Sequence, residues 1–150
     1  MSCNMNVIET EIAGIKIVEP DIRRDERGYF CETYNRRRYF DAGITAEFVQ
    51  DNESFSMKGV IRGLHWQVAP FGQAKLVRVI SGKVLDVAVD LRKGSSTFGK
   101  HIATELSAVH YFLNNTNLLC ILLIRIGVVG INDTSRIYQI HLAVHLDETV

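Results

Sequence analysis

The chain carries no excess of charge of either sign. Seventeen Lys and Arg stand against seventeen Asp and Glu in 150 residues, so no net field draws in a polyanion, and a general nucleic-acid or anionic-membrane binder is excluded. Cysteine is scarce: Cys3, Cys31 and Cys120 are odd in number and contain no CxxC pair. That excludes a disulfide framework and fits reduced thiols in the cytoplasm. No apolar run is long enough to cross a membrane as a helix. The longest, Leu118 to Val129, has about twelve residues and contains Arg125, where about 20 are required. The N-terminus lacks a basic region followed by an apolar run, and the expectation is therefore that no signal peptide is present. Disorder is excluded by 47% hydrophobic content at zero net charge. Charge also runs out along the chain. Beyond residue 108 the charged residues are Arg125, Asp133, Arg136, Asp147 and Glu148, and the last lysine is Lys100.

What is present is mostly strand signal. Val7 to Ile12 and Ile15 to Val18 are short β-branched runs split by Ala13-Gly14, with Pro20 ending the second. Asp25-Glu26-Arg27-Gly28 is a turn leading into the aromatic run Tyr29 to Tyr34. One short helix is expected, Asn35 to Ala42, capped by Asn35 and stopped by Gly43. Phe48 to Gln50 and Val60 to Arg62 read as strands flanking a Ser- and Gly-containing connection. Lys75 to Ile80, Ser81-Gly82 and Lys83 to Leu91 read as a hairpin. In its return strand Leu85, Val87, Val89 and Leu91 share one face, and Asp86, Ala88 and Asp90 the other. Many short strands and one small helix predict an all-β fold of one domain, an antiparallel β-sandwich or barrel.

Gly59 to Gln67 concentrates the chemistry, with Arg62, His65 and Gln67 on an expected core strand. A histidine satisfied on a sheet face is the plainer reading of this segment by itself. In a regular strand Arg62 and His65 point to opposite faces. For both to serve one pocket, Gly63 must supply a bulge or bend. With Lys75 and Asp86 added, the interior holds charges that are costly to bury without pairing or a charged ligand. Such a set suits proton transfer on an anionic, carbonyl-bearing substrate.

Five blocks, Asp25 to Glu32, Phe48 to Asn52, Gly59 to Gln67, Lys75 to Arg78, and Asp86 to Lys93 followed by Thr97-Phe98-Gly99, resemble the dTDP-4-dehydrorhamnose 3,5-epimerase family in order and spacing. The resemblance covers about Met5 to Ala108. It implies a cupin-type jelly roll that forms a homodimer through its N-terminal strands, and a place in dTDP-L-rhamnose and polysaccharide biosynthesis. It also implies a substrate, a dTDP-4-keto-6-deoxy sugar epimerised at C3 and C5. By that resemblance the general base falls on His65 and the enolate-stabilising cation on Lys75. Substrate-binding positions fall on Arg27, Glu32, Gln50, Asp51, Asn52 and Arg62. The reaction requires neither a nicotinamide nor a metal. The His-x-His pair of metal-binding cupins is absent, since Trp66-Gln67 follows His65. His141 and His145 would share a face if helical, with Asp147 nearby, but lack a third convincing ligand.

After Ala108 the family pattern stops. Its W-I-P-x-G-x-A-H-G block is missing, and Asn114 occupies the position of the family's acid tyrosine. The expectation is a divergent tail over 109–150 that leaves the jelly roll short of strands. Three readings follow: the 3,5-epimerase, an impaired homologue that binds dTDP-sugar or an intact subunit, and a related cupin that epimerises one carbon only.

Overall fold

The computed structural model describes residues 5–67, 72–108, 111–114, 121–128 and 134–141, with side chains as far as residue 108. The described residues form twelve strands and one helix: β1 (Asn6–Glu9), β2 (Ile15–Glu19), β3 (Ile22–Asp25), β4 (Gly28–Cys31), α1 (Arg36–Asp41), β5 (Gln50–Met57), β6 (Ile61–His65), β7 (Lys75–Ser81), β8 (Lys83–Asp90), β9 (His101–Ser107), β10 (Tyr111–Asn114), β11 (Ile121–Val128) and β12 (Thr134–His141). A six-stranded sheet runs β1-β2-β10-β7-β12-β5, and a four-stranded sheet runs β6-β11-β8-β9. The pair β3-β4 stands as a separate two-stranded ribbon. All strand pairs are antiparallel. The all-β jelly-roll expectation holds.

The two sheets close on one apolar core. Ile12, Ile15, Val77 and Val79 meet Val84, Ala88 and Leu106 across the gap, with Ile17 and Ile102 at the margin. Burying each such side chain contributes roughly 1.5–3 kcal/mol, which makes this face the principal stabilising element. The other side of the six-stranded sheet is covered by α1: Val18 and Leu76 pack against Tyr39 and Ile44. Asn35 caps that helix as its sequence predicts, accepting a bond from the Arg38 backbone N–H at 3.2 Å.

Two expectations are corrected. The strands of the expected hairpin exist, but β7 and β8 do not pair. Ser81-Gly82 carries the chain from one sheet to the other, with Gly82 at φ 82°, a conformation costly for a residue bearing Cβ. Val77 and Val84 therefore face each other through the core instead of lying side by side. Secondly, β6 is an edge strand with every residue exposed, not a core strand. The tail itself supplies strands to both sheets. β10 lies between β2 and β7, β11 between β6 and β8, and β12 between β7 and β5.

The core face of β8 is the one that carries Asp86, which the sequence reading placed in the interior. Val84, Asp86, Ala88 and Asp90 are buried while Leu85, Val87 and Val89 are half-buried. Asp90 is accommodated because its carboxylate accepts from the Arg92 side chain at 2.8 and 2.6 Å and the Arg92 backbone N–H at 2.9 Å. It also accepts from Ser95 at 2.7 Å and Thr97 at 2.6 Å. The Arg92 guanidinium, and then the two hydroxyls, hold this carboxyl well below the usual carboxylate range against the opposing effect of burial.

Candidate active site

Strand register decides which of the chemistry-bearing residues share a face. On β6 the pairing with β11 shifts: His65 lies opposite Leu123 and Arg62 opposite Arg125. Three steps along β6 match two along β11, so β6 carries one extra residue between them. That is a bulge, and it lies at Gly63, whose φ is 153°. The bulge brings Arg62 and His65 to one side of the strand, as the glycine predicted. Arg125 in turn pairs with Asp86 and Leu123 with Ala88, and Ala88 is a core residue. The side shared by Arg62 and His65 is therefore the one turned toward the other sheet.

The six-stranded sheet answers with a second row. Lys75 alternates with Val77 and Val79 on β7, both in the inter-sheet core. It pairs with Asn114 on β10 and His141 on β12, and His141 pairs with Gln50 on β5. Gln139 links Val77 to Asn52 in the same way. Gln50 and Asn52 therefore share the interior side with Lys75, and the Gln50 amide donates to Asn52 Oδ1 at 3.3 Å. Asp51 belongs to the opposite alternation with Glu53 and Phe55, all three exposed.

His65 and Lys75 meet in one cleft of about 400 Å³, lined by Leu64, His65, Trp66, Gln67, Gln73 and Lys75. β5 and β6 are edge strands of their sheets. Arg62 bridges those edges, donating through Nε to Ser56 Oγ at 2.7 Å and through Nη2 to the Phe55 carbonyl at 2.9 Å. Gln73 was not anticipated from the sequence. It lies in the segment just before β7, two residues from Lys75.

None of the six expected binding residues is among the side chains that line this cleft, and Arg27 and Glu32 are held elsewhere. Arg27 sits at the tip of the β3-β4 ribbon, its side chain 90% exposed and paired with Asp25. The Arg27 guanidinium holds the Asp25 carboxyl below its usual range. Glu32 is tied to the start of α1 by Arg38 at 2.9 Å and Asn35 at 3.3 Å. His141 lies on a strand, so the helical face it would share with His145 does not form, and residues 145 and 147 lie outside the described residues. Among the described residues no cluster of three His, Cys, Asp or Glu side chains could hold a metal.

Residues 9–113 match the family model of dTDP-4-dehydrorhamnose 3,5-epimerase. A curated dTDP-4-dehydrorhamnose 3,5-epimerase of Shigella flexneri is 55% identical over 105 residues, covering 69% of this chain and 58% of the relative. The chain thus spans little more than half of that relative's length. Among solved structures, a dTDP-6-deoxy-D-glucose-3,5-epimerase of Legionella pneumophila in complex with dTDP-4-keto-L-rhamnose superposes with a TM-score of 0.84 at 38% identity, covering 97% of this chain and 76% of that one. A dTDP-4-dehydrorhamnose 3,5-epimerase of Bacillus anthracis with TDP and diphosphate bound gives 0.86 at 35% identity, covering 97% and 81%. Both likenesses extend over the tail strands as well as the matched region.

Proposed function

Because the chain belongs to the dTDP-4-dehydrorhamnose 3,5-epimerase family, we propose that it epimerises dTDP-4-dehydro-6-deoxy-D-glucose at C3 and C5, giving dTDP-4-dehydro-L-rhamnose. The observation that carries this reading is the convergence of His65 and Lys75 in one cleft between the sheets. Protons at C3 and C5 flank the C4 ketone, so removing either leaves an enolate. A neutral His65 imidazole can take that proton. The Lys75 ammonium stabilises the oxyanion that develops at C4. In this reading Arg62, bonded to Ser56 and Phe55, takes the diphosphate, and Gln50 and Asn52 take the sugar or base by hydrogen bonds. No step in this scheme draws on a metal or a nicotinamide.

The functional unit in this reading is a homodimer. The β3-β4 ribbon supports it: Tyr29 and Phe30 are 63% and 65% exposed beside the Arg27–Asp25 ion pair, an apolar surface with a polar border suited to a second copy. Residues 1–150 act as one domain. The cytoplasm is the compartment that suits cysteines with no framework spacing, and no described helix is long and apolar enough to cross a membrane.

The test is solvent proton exchange. The chain is incubated with dTDP-4-keto-6-deoxyglucose in D₂O, and deuterium at both C3 and C5 is expected. Label at one carbon would make it a mono-epimerase. Absence of label despite dTDP binding would leave a binding protein and end the catalytic reading. His65→Ala is expected to lower exchange by about 10²–10⁴-fold while dTDP affinity stays within a few-fold.

A further inference from the structure

We propose that Gln73 sets the rate of the C3 step, holding the C3 hydroxyl in the plane of the enolate while Lys75 holds the C4 oxygen. The proposal rests on the epimerase reading and deepens it. The two carbons that exchange their protons are not alike. C3 carries a hydroxyl and C5 carries the C6 methyl. A site that serves both must tell the two edges of the ring apart.

The lining of the cleft divides in the same way. β6 and the residue after it supply Leu64, His65 and Trp66, and the lead into β7 supplies Gln73 and Lys75. Leu64 and Trp66 are 53% and 56% exposed, an apolar surface that suits the methyl edge. Gln73 and Lys75 are half-buried, whereas Ala74 between them is fully buried and packs with Ala46 and Phe48. Ala74 is thus turned into the protein, and the two polar side chains line the cleft together. His65, Gln67 and Lys75 each engage another group of the protein, but the Gln73 amide has no hydrogen-bond partner among the described residues. It keeps a donor and an acceptor for a ligand, and a hydroxyl answers both where a methyl answers neither. Cα atoms two residues apart are at most about 7 Å from each other, so an amide and an ammonium rooted there can take adjacent oxygens of one ring.

The change of shape at C3 gives this contact its effect. His65 takes the C3 proton, the electron pair becomes the C3–C4 double bond, and charge collects on the C4 oxygen beside Lys75. C3 turns from tetrahedral to planar, which swings its hydroxyl into the plane of the C4 oxygen. A contact made best in that planar arrangement favours the enolate over the ketone and speeds the step. Return of a solvent-derived proton to C3 takes up the electron pair and restores the ketone, and Gln73 itself neither gives nor takes a proton. In the C5 step the C3 hydroxyl stays on a tetrahedral carbon throughout, so the same contact gains nothing there.

The full chain and its Gln73→Met and Gln73→Ala variants would be compared in D₂O on dTDP-4-keto-6-deoxyglucose. Deuterium entering C3 and C5 is followed separately by NMR, and dTDP affinity and circular dichroism are measured alongside. Both variants are expected to keep their spectrum, their dTDP affinity and their rate of labelling at C5. Labelling at C3 is expected to fall about 10-fold, the effect of one lost hydrogen bond. On the analogue that lacks the C3 hydroxyl, parent and variants should label C3 at the same rate. A ratio of C3 to C5 label left unchanged by both substitutions would overturn the assignment. So would parallel loss at both carbons or loss of the folded spectrum, either of which marks a structural role, and so would a difference at C3 that persists on the analogue. Label at C5 alone in the parent would overturn it as well. A parent chain that labels neither carbon would instead overturn the epimerase reading, and the role of Gln73 with it.

Discussion

Asp90→Ala removes the most heavily bonded carboxylate among the described residues. Its side chain has no solvent exposure, and that of Arg92 is 12% exposed. The variant deletes five accepted hydrogen bonds and leaves a guanidinium, two hydroxyls and a backbone N–H facing a cavity. Charge-assisted bonds contribute about 1.5–3 kcal/mol each when counted singly, but they share one carboxylate and do not add. Removing one member of a buried ion pair costs about 3–5 kcal/mol, and that is the expected loss. For a chain of this size it corresponds to a fall in Tm of about 6–20 °C, read by urea titration and thermal melts under circular dichroism. The pH dependence has a fixed sign. The folded carboxyl is held below its unfolded value of about 3.9, so its contribution is fully present above that value and lost as pH falls below it. The gap between parent and variant should stay constant from neutrality to about pH 4 and narrow in more acid solution. A loss under about 1 kcal/mol at neutral pH, or a gap that does not narrow in acid, would refute the argument.

Gly63→Val places a β-branched residue at φ 153° and should shift the bulge that aligns Arg62 with His65. An activity loss of about 10²-fold is expected, since misplacement by about 1 Å costs that much. Steady-state rates set beside melting curves check it, and unchanged turnover would contradict the role given to the bulge. Asn35→Ala removes the cap of α1 and should destabilise the chain by about 1 kcal/mol without altering dTDP affinity, as measured by urea titration and calorimetry.

What was legible in the sequence was local. Asn35 and Gly43 bound a helix by capping and left-handed geometry, both short-range effects, and α1 forms there. Gly63 signalled a bulge because no other residue of that strand tolerates the conformation. Pairing was another matter. Ser81-Gly82 has the composition of a tight hairpin turn, yet the same two residues pass between sheets, because strand partners are chosen by the whole core. β5 was underestimated because Gln50 to Met57 is polar on both alternations. An edge strand tolerates that composition, and polarity at an edge discourages pairing with other chains. The pairing of β7 with β12 could not be read from the sequence, because β12 lies beyond the first 108 residues, which carry the family pattern.

The interleaving of the tail with the earlier strands also sets the order in which the chain can fold during synthesis. Both neighbours of β7, which are β10 and β12, are made after it, as are the partners of β5 and β6. A nascent chain that has emerged only as far as β9 holds the β1-β2, β3-β4 and β8-β9 pairs, while β5, β6 and β7 still wait for theirs. Pairings of such long sequence separation form slowly, and the waiting strands expose the Val77–Val79 face to other chains. Folding of this molecule is therefore deferred until translation has passed β12, and its demand for chaperone protection falls in that interval.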